Sequence, residues 1–342
     1  MSPSLSAQAG RTAERGRGRT RSRVKLAVKA LVTLGLLALL LDRVNLDDSV
    51  RALRRAQPVW IVLGTLVCST GFLASSQKWH GLLAAMGVAI DRWAALRIYA
   101  IGHFASSFFP GTIGGDLLRC NMVRPVTGGY VRAFASVLAE RASGVVTMVA
   151  LAIAAVAWRP DRLATPPVLT LVGIGSAGVV LALLLALNRR LAVAVTYRLR
   201  RGSLRRVVRR LYELHRILRS LSASALAVAL GWSVGFYFGS GLLMYTCCRA
   251  FERPIGVLDA VSVVVVVSIL MLIPISLGGL GLRQVGDVMM LDLFGVDPGS
   301  ALVISLLRQA INYFYTLIGG VFFVLWTGAE LGPHVSPREE GL

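Results

Sequence analysis

Apolar runs long enough to cross hydrocarbon recur along the chain, and they restrict its fold more than any other feature. A helix needs about 20 consecutive apolar residues to span a bilayer, and VKLAVKALVTLGLLALLLD, residues 24–42, is of that kind. Backbone amides at membrane depth must be satisfied internally. The runs are continuous rather than alternating, so the sequence predicts an all-α, polytopic helical membrane protein. About six spanning helices are expected, at residues 24–42, 58–76, 131–158, 168–187, 223–248 and 298–327. Two shorter apolar stretches, 94–109 and 258–273, do not fit the spanning pattern alone.

Charge decides how these spans are oriented. The net charge is +20, and only Lys25, Lys29 and Lys78 are lysines, so arginine supplies nearly all of it. The arginines fall mostly outside the apolar runs, where topology signals and anionic headgroups account for them. Nucleic acid is therefore not an expected partner. Residues 1–23, rich in Ser, Gly and Arg, read as a disordered basic cytoplasmic tail. Residues 24–42 read as an uncleaved first span, since no small-residue cleavage site precedes Asp42. Residues 188–220 carry eleven arginines against the single Glu213, with Leu204, Val207, Val208, Leu211, Leu214, Ile217, Leu218 and Leu221 at helical spacing. That pattern predicts a basic amphipathic helix on an anionic membrane face.

Against this background PGTIGGDLLR, Pro110 to Arg119, is anomalous, and PISLGGLGLR, Pro274 to Arg283, repeats it. Proline and arginine stand nine positions apart in both, and Gly114 and Gly115 match Gly278 and Gly279 in register. Each motif is followed by a long apolar helix with an embedded arginine, Arg141 or Arg308. The domain over 24–328 thus reads as two repeats, 24–158 and 168–328, with the basic linker 188–220 inside the second and a short tail at 329–342. If both basic segments stay cytoplasmic, the first motif must enter and leave from that side and the second from the other. The expectation is two re-entrant Pro/Gly hairpins in an inverted repeat, both termini being cytoplasmic in the cell membrane.

Irregular backbone at membrane depth must be buried in protein or line a polar cavity. Breaks approaching from opposite faces form the midplane site of alternating-access transporters. Glycine pairs let amides approach a ligand, and a helix starting beyond each pair turns its positive end toward it. Arg119 and Arg283 add charge suited to phosphate oxygens, with Arg141 and Arg308 behind them and Asp116, Glu140 or Asp287 as counter-charges. The substrate-binding candidates are Pro110, Gly114, Gly115, Asp116, Arg119, Glu140, Arg141, Pro274, Gly278, Gly279, Arg283 and Arg308. The expected ligand is an anionic or phosphate-bearing membrane lipid.

Other features read as packing. Gly231, Gly235 and Gly239, spaced by four, permit close helix contact. Cys68, Cys120, Cys247 and Cys248 show no CxxC spacing, and Asn312, Tyr313 and Tyr315 on the last apolar helix read as packing, with the lining of a cavity as the alternative. His80, His103, His215 and His334 form no HxxxH pattern, so neither metal nor cofactor is expected. A rival reading is a membrane enzyme acting on a lipid phosphate with Asp116 or Glu140 as base, but no phosphatase, DDxxD or GxSxG motif accompanies them. A non-catalytic scaffold for envelope lipid synthesis is the third.

PGTIGGDLLR, the AER of Ala139 to Arg141, and PISLGGLGLR resemble the signature segments of the lysylphosphatidylglycerol synthase transmembrane-region family, also called flippase-like. The resemblance covers roughly residues 24–328. It implies a membrane region that moves lipids between leaflets, aminoacylated phosphatidylglycerol among them. The short tail at 329–342 offers no aminoacyltransferase domain, so the resemblance does not carry over the synthase reaction.

Overall fold

The computed structural model describes residues 56–108, 113–187, 205–253, 255–273 and 280–325. The predicted tail at 1–23, the first span at 24–42, Pro110, Pro274, Gly278, Gly279 and the tail at 329–342 lie outside these residues. Among the described residues every regular element is a helix. They are α1 (Pro58–Ala85), α2 (Arg92–Phe108), α3 (Ile113–Thr127), α4 (Tyr130–Trp158), α5 (Pro160–Leu163), α6 (Pro166–Leu187), α7 (Arg205–Arg219), α8 (Ala223–Ala250), α9 (Val257–Leu270), α10 (Leu282–Asp292) and α11 (Pro298–Leu325).

Four of them, α1, α4, α8 and α11, are long and apolar enough to cross a membrane. Their outward faces carry large apolar side chains, such as Val59, Val62 and Leu66 on α1 and Leu317, Val321 and Val324 on α11. An apolar surface of this extent fits hydrocarbon rather than water. The chain is a multi-pass helical membrane protein.

Two sets of four helices follow the same order. In the first, α1 to α4 run 28, 17, 15 and 29 residues. In the second, α8 to α11 run 28, 14, 11 and 28. The two leading helices pack on each other, and each short second helix lies against the last long helix of the other set, α2 on α11 and α9 on α4. The valine run of α9 is buried on nearly every side, from Ala260 through Val267. Valine's modest helix propensity is overridden there, because an enclosed backbone must bond within its own helix.

Helix ends gather on two sides. On one, the Gln57 amide bonds the Ala250 carbonyl at 2.9 Å, Arg159 pairs with Asp259 at 3.2 Å, Arg162 donates to the Leu293 carbonyl at 2.8 Å and Arg253 pairs with Asp297 at 2.7 Å. The starts of α1, α9 and α11 and the ends of α4, α8 and α10 therefore share this side. On the other, Leu221 ahead of α8 packs with Leu82 near the end of α1 and with Ala139 of α4. The turn at Gly128 and Gly129 joins the end of α3 to the start of α4 on that side as well. So α2 and α3 form a hairpin rooted on the second side, and α9 and α10 one rooted on the first.

Of the three glycines spaced by four, only Gly239 makes the expected contact, where a Cβ would stand 3.0 Å from Thr70 Oγ1. Gly231 and Gly235 face open space. The α1–α8 contact runs along the stripe of α8 that includes Gly239, through Gly71 against Phe236 and Gly64 against Thr246. The four cysteines are free thiols, with Cys120, Cys247 and Cys248 buried.

Candidate functional site

Each Pro/Gly motif leads into one of the short hairpin helices, but not in the same way. Helix α3 starts at Ile113, so Gly114 and Gly115 lie in its first turn rather than before it. A Cβ on Gly115 would collide with the Gly102 carbonyl and the Ser106 hydroxyl of α2. This glycine serves close helix crossing, not the approach of a ligand. Gly102 in turn lies against the Arg119 side chain. Helix α10 starts at Leu282 with Gly281 before it at φ 78°, a left-handed conformation that suits glycine. The Gln284 side chain accepts the Gly281 amide at 2.8 Å.

Around Arg119 the charges form a closed network. Glu140 stands 3.0 Å from Lys78 Nζ and 3.1 Å from Arg119 Nη1, all three being buried. Lys78 also donates to Ser233 Oγ at 3.2 Å. The Arg119 guanidinium lies over the rings of Trp79 and Tyr99, 4.3 and 4.6 Å from their centroids. Desolvated cation–π contacts are worth about 2 kcal/mol. Arg141 is half exposed and grips Asp116 with two nitrogens, at 2.9 and 3.1 Å. The network holds three cations against two carboxylates.

The second set contains a smaller buried pair. Arg308 Nη2 donates to both oxygens of Asp287, at 2.9 and 2.6 Å, and Ser305 Oγ donates to the same carboxylate at 2.6 Å. Asp287 and Arg308 are 21 residues apart, as are Arg119 and Glu140. The structural counterpart of Arg308, ten residues into its long helix, is thus Glu140 and not the neighbouring Arg141. The two sets hold the same buried bridge with its signs exchanged.

Arg283 is placed differently. A cavity of about 90 Å³ opens between α2 and α11, with Arg283 contributed by α10. His103 and Ser107 line it from α2, and Gln309, Asn312, Tyr313 and Thr316 from α11. Among the described residues Arg283 Nε is buried without a hydrogen-bond partner, and no carboxylate lines the cavity. His103 and Arg283 share the lining of this cavity. Among the described residues no three His, Cys, Asp or Glu side chains converge as metal ligands would.

Of the four arginines grouped by sequence, three are therefore committed to carboxylates and Arg283 alone faces the cavity. Asp116, Glu140 and Asp287 do act as counter-charges. Asn312 and Tyr313 line the cavity, whereas the Tyr315 hydroxyl reaches the Thr65 carbonyl. Lys78, His103 and Gln309 were not among the sequence candidates. For Lys78 the missed signal was that QKWHGLLAA continues the helical run, so α1 extends to Ala85 instead of stopping before the lysine. Outside the spans, bonds from Arg159 hold the Asp161 carboxyl below its usual range.

Compared with proteins of curated function, the chain matches none. Residues 26–319 match the family described as "Lysylphosphatidylglycerol synthase TM region", and over that span, nearly the whole of the helical assembly above, the chain belongs to this family.

Proposed function

We propose that this protein translocates a lipid-linked anion across the cell membrane, holding its headgroup beside Arg283. The observation that carries the reading is a buried guanidinium whose Nε has no partner among the described residues, in a polar cavity that no described carboxylate lines. A cation held so deep in a membrane protein is expensive unless an anion joins it. The family supports a membrane region tied to lipid synthesis or translocation. Paired hairpins rooted on opposite sides support an inverted repeat with re-entrant segments, and alternating access works through such pairs. In this reading there are about six spans, and the basic segments at 1–23 and 188–220 put both termini and α7 in the cytoplasm. In this reading the protein is not an enzyme, and the engagement of Asp116 and Glu140 in ion pairs supports that reading.

Arg283→Gln separates binding from folding, because the residue has no ion pair to lose. In proteoliposomes carrying NBD-labelled phosphatidylglycerol, dithionite access to inner-leaflet label should fall at least about tenfold, the scale of losing one buried charge-assisted contact. Thermal unfolding in detergent should stay near wild type. Undiminished exchange by the variant would remove the site from the proposal.

A further inference from the structure

Resting on the reading that the Arg283 cavity receives a lipid headgroup, we infer that it takes an unmodified phosphate headgroup and rejects the aminoacylated lipid for which the family is described. Lysine esterified to phosphatidylglycerol changes one negative charge into one net positive charge. Such a headgroup needs a carboxylate for its ammonium groups. Among the described residues none lines the cavity. The nearest acid along α10, Asp287, is enclosed by Arg308 and Ser305. Asp116 is held by Arg141, and Glu140 by Lys78 and Arg119.

The unpartnered group in the cavity points the same way. Arg283 Nε is buried with no hydrogen-bond partner among the described residues, and it is an N–H donor. Buried donors without partners are costly and call for an acceptor. Phosphate oxygens are acceptors only, whereas an ammonium would add further donors beside Arg283.

The test compares NBD-labelled phosphatidylglycerol with its lysyl ester in phosphatidylcholine proteoliposomes of the full chain. Phosphatidylglycerol should exchange at least about tenfold faster, because juxtaposed like charges at a buried site cost several kcal/mol. Gln309→Glu places a carboxylate in the cavity with little change of shape, and it should narrow that ratio while the protein still unfolds near the wild-type temperature. Equal rates for both lipids in the wild type, or a ratio that Gln309→Glu leaves unaltered, would overturn the inference and leave the translocator standing. Exchange of neither lipid would remove both. A second arm adds inorganic phosphate to the purified protein: stabilisation by phosphatidylglycerol but not by free phosphate assigns the acceptor to a lipid. Stabilisation by free phosphate, without discrimination between the lipids, would overturn that assignment.

Discussion

Glu140 is enclosed by Lys78 and Arg119, while Arg283 makes no ion pair among the described residues, and this contrast predicts opposite responses to losing one charge. Glu140→Gln leaves two buried cations facing each other, and breaking such a bridge from one side costs about 3–5 kcal/mol. A large drop in thermal unfolding temperature is expected, with partial recovery when Lys78→Met is added. Arg141→Gln breaks only the half-exposed pair with Asp116, for which about 0–1 kcal/mol is the usual scale. Detergent unfolding of the three variants should therefore rank Glu140→Gln far below Arg141→Gln, with Arg283→Gln near wild type. An equal loss for Glu140→Gln and Arg141→Gln would contradict the enclosed network.

Helices place these residues, and glycine decides how closely the helices approach. Gly115→Ala must push α3 away from the Gly102 carbonyl, a backbone atom that cannot rotate aside. Overpacking of this kind costs about 1–3 kcal/mol. Gly231→Ala meets open space inside α8 and gains up to about 1 kcal/mol of helix propensity. Unfolding measurements on the two variants should move in opposite directions. The same pair shows what was legible beforehand. Apolar runs located the helices closely, the stretch 131–158 becoming Tyr130–Trp158, because hydrocarbon leaves the backbone few alternatives. Spacing by four could not say which glycines meet a neighbour, since the contact stripe of α8 depends on where α1 lies. Nor could it reveal that Lys78 belongs with Glu140, because that bridge joins residues 62 positions apart through tertiary packing alone.

At the scale of the molecule, the sign-reversed bridges, the exchanged packing of α2 and α9 and the hairpins rooted on opposite sides all support the proposed inverted repeat of two similar units. An antiparallel arrangement has a consequence for sidedness that no local contact can mimic. Exposed Ala89, between α1 and α2, and Arg132, at the start of α4, flank the α2–α3 hairpin on one side. Exposed Asp161, after α4, and Asp292, at the end of α10, lie on the other. With Cys68, Cys120, Cys247 and Cys248 replaced by serine or alanine, single cysteines at these four positions can be challenged with an impermeant maleimide. In oriented membrane vesicles, Ala89→Cys and Arg132→Cys should react from the same side, and Asp161→Cys and Asp292→Cys only from the opposite one. In the proposed orientation, with the basic segment 188–220 in the cytoplasm, the first pair should react from the cytoplasmic side. Because α2 and α3 together contain 32 residues, one net crossing by them would place Ala89 and Arg132 on opposite sides. Opposite labelling of that pair would therefore abolish the inverted pairing and, with it, the reason for the Arg283 cavity to open alternately toward the two leaflets.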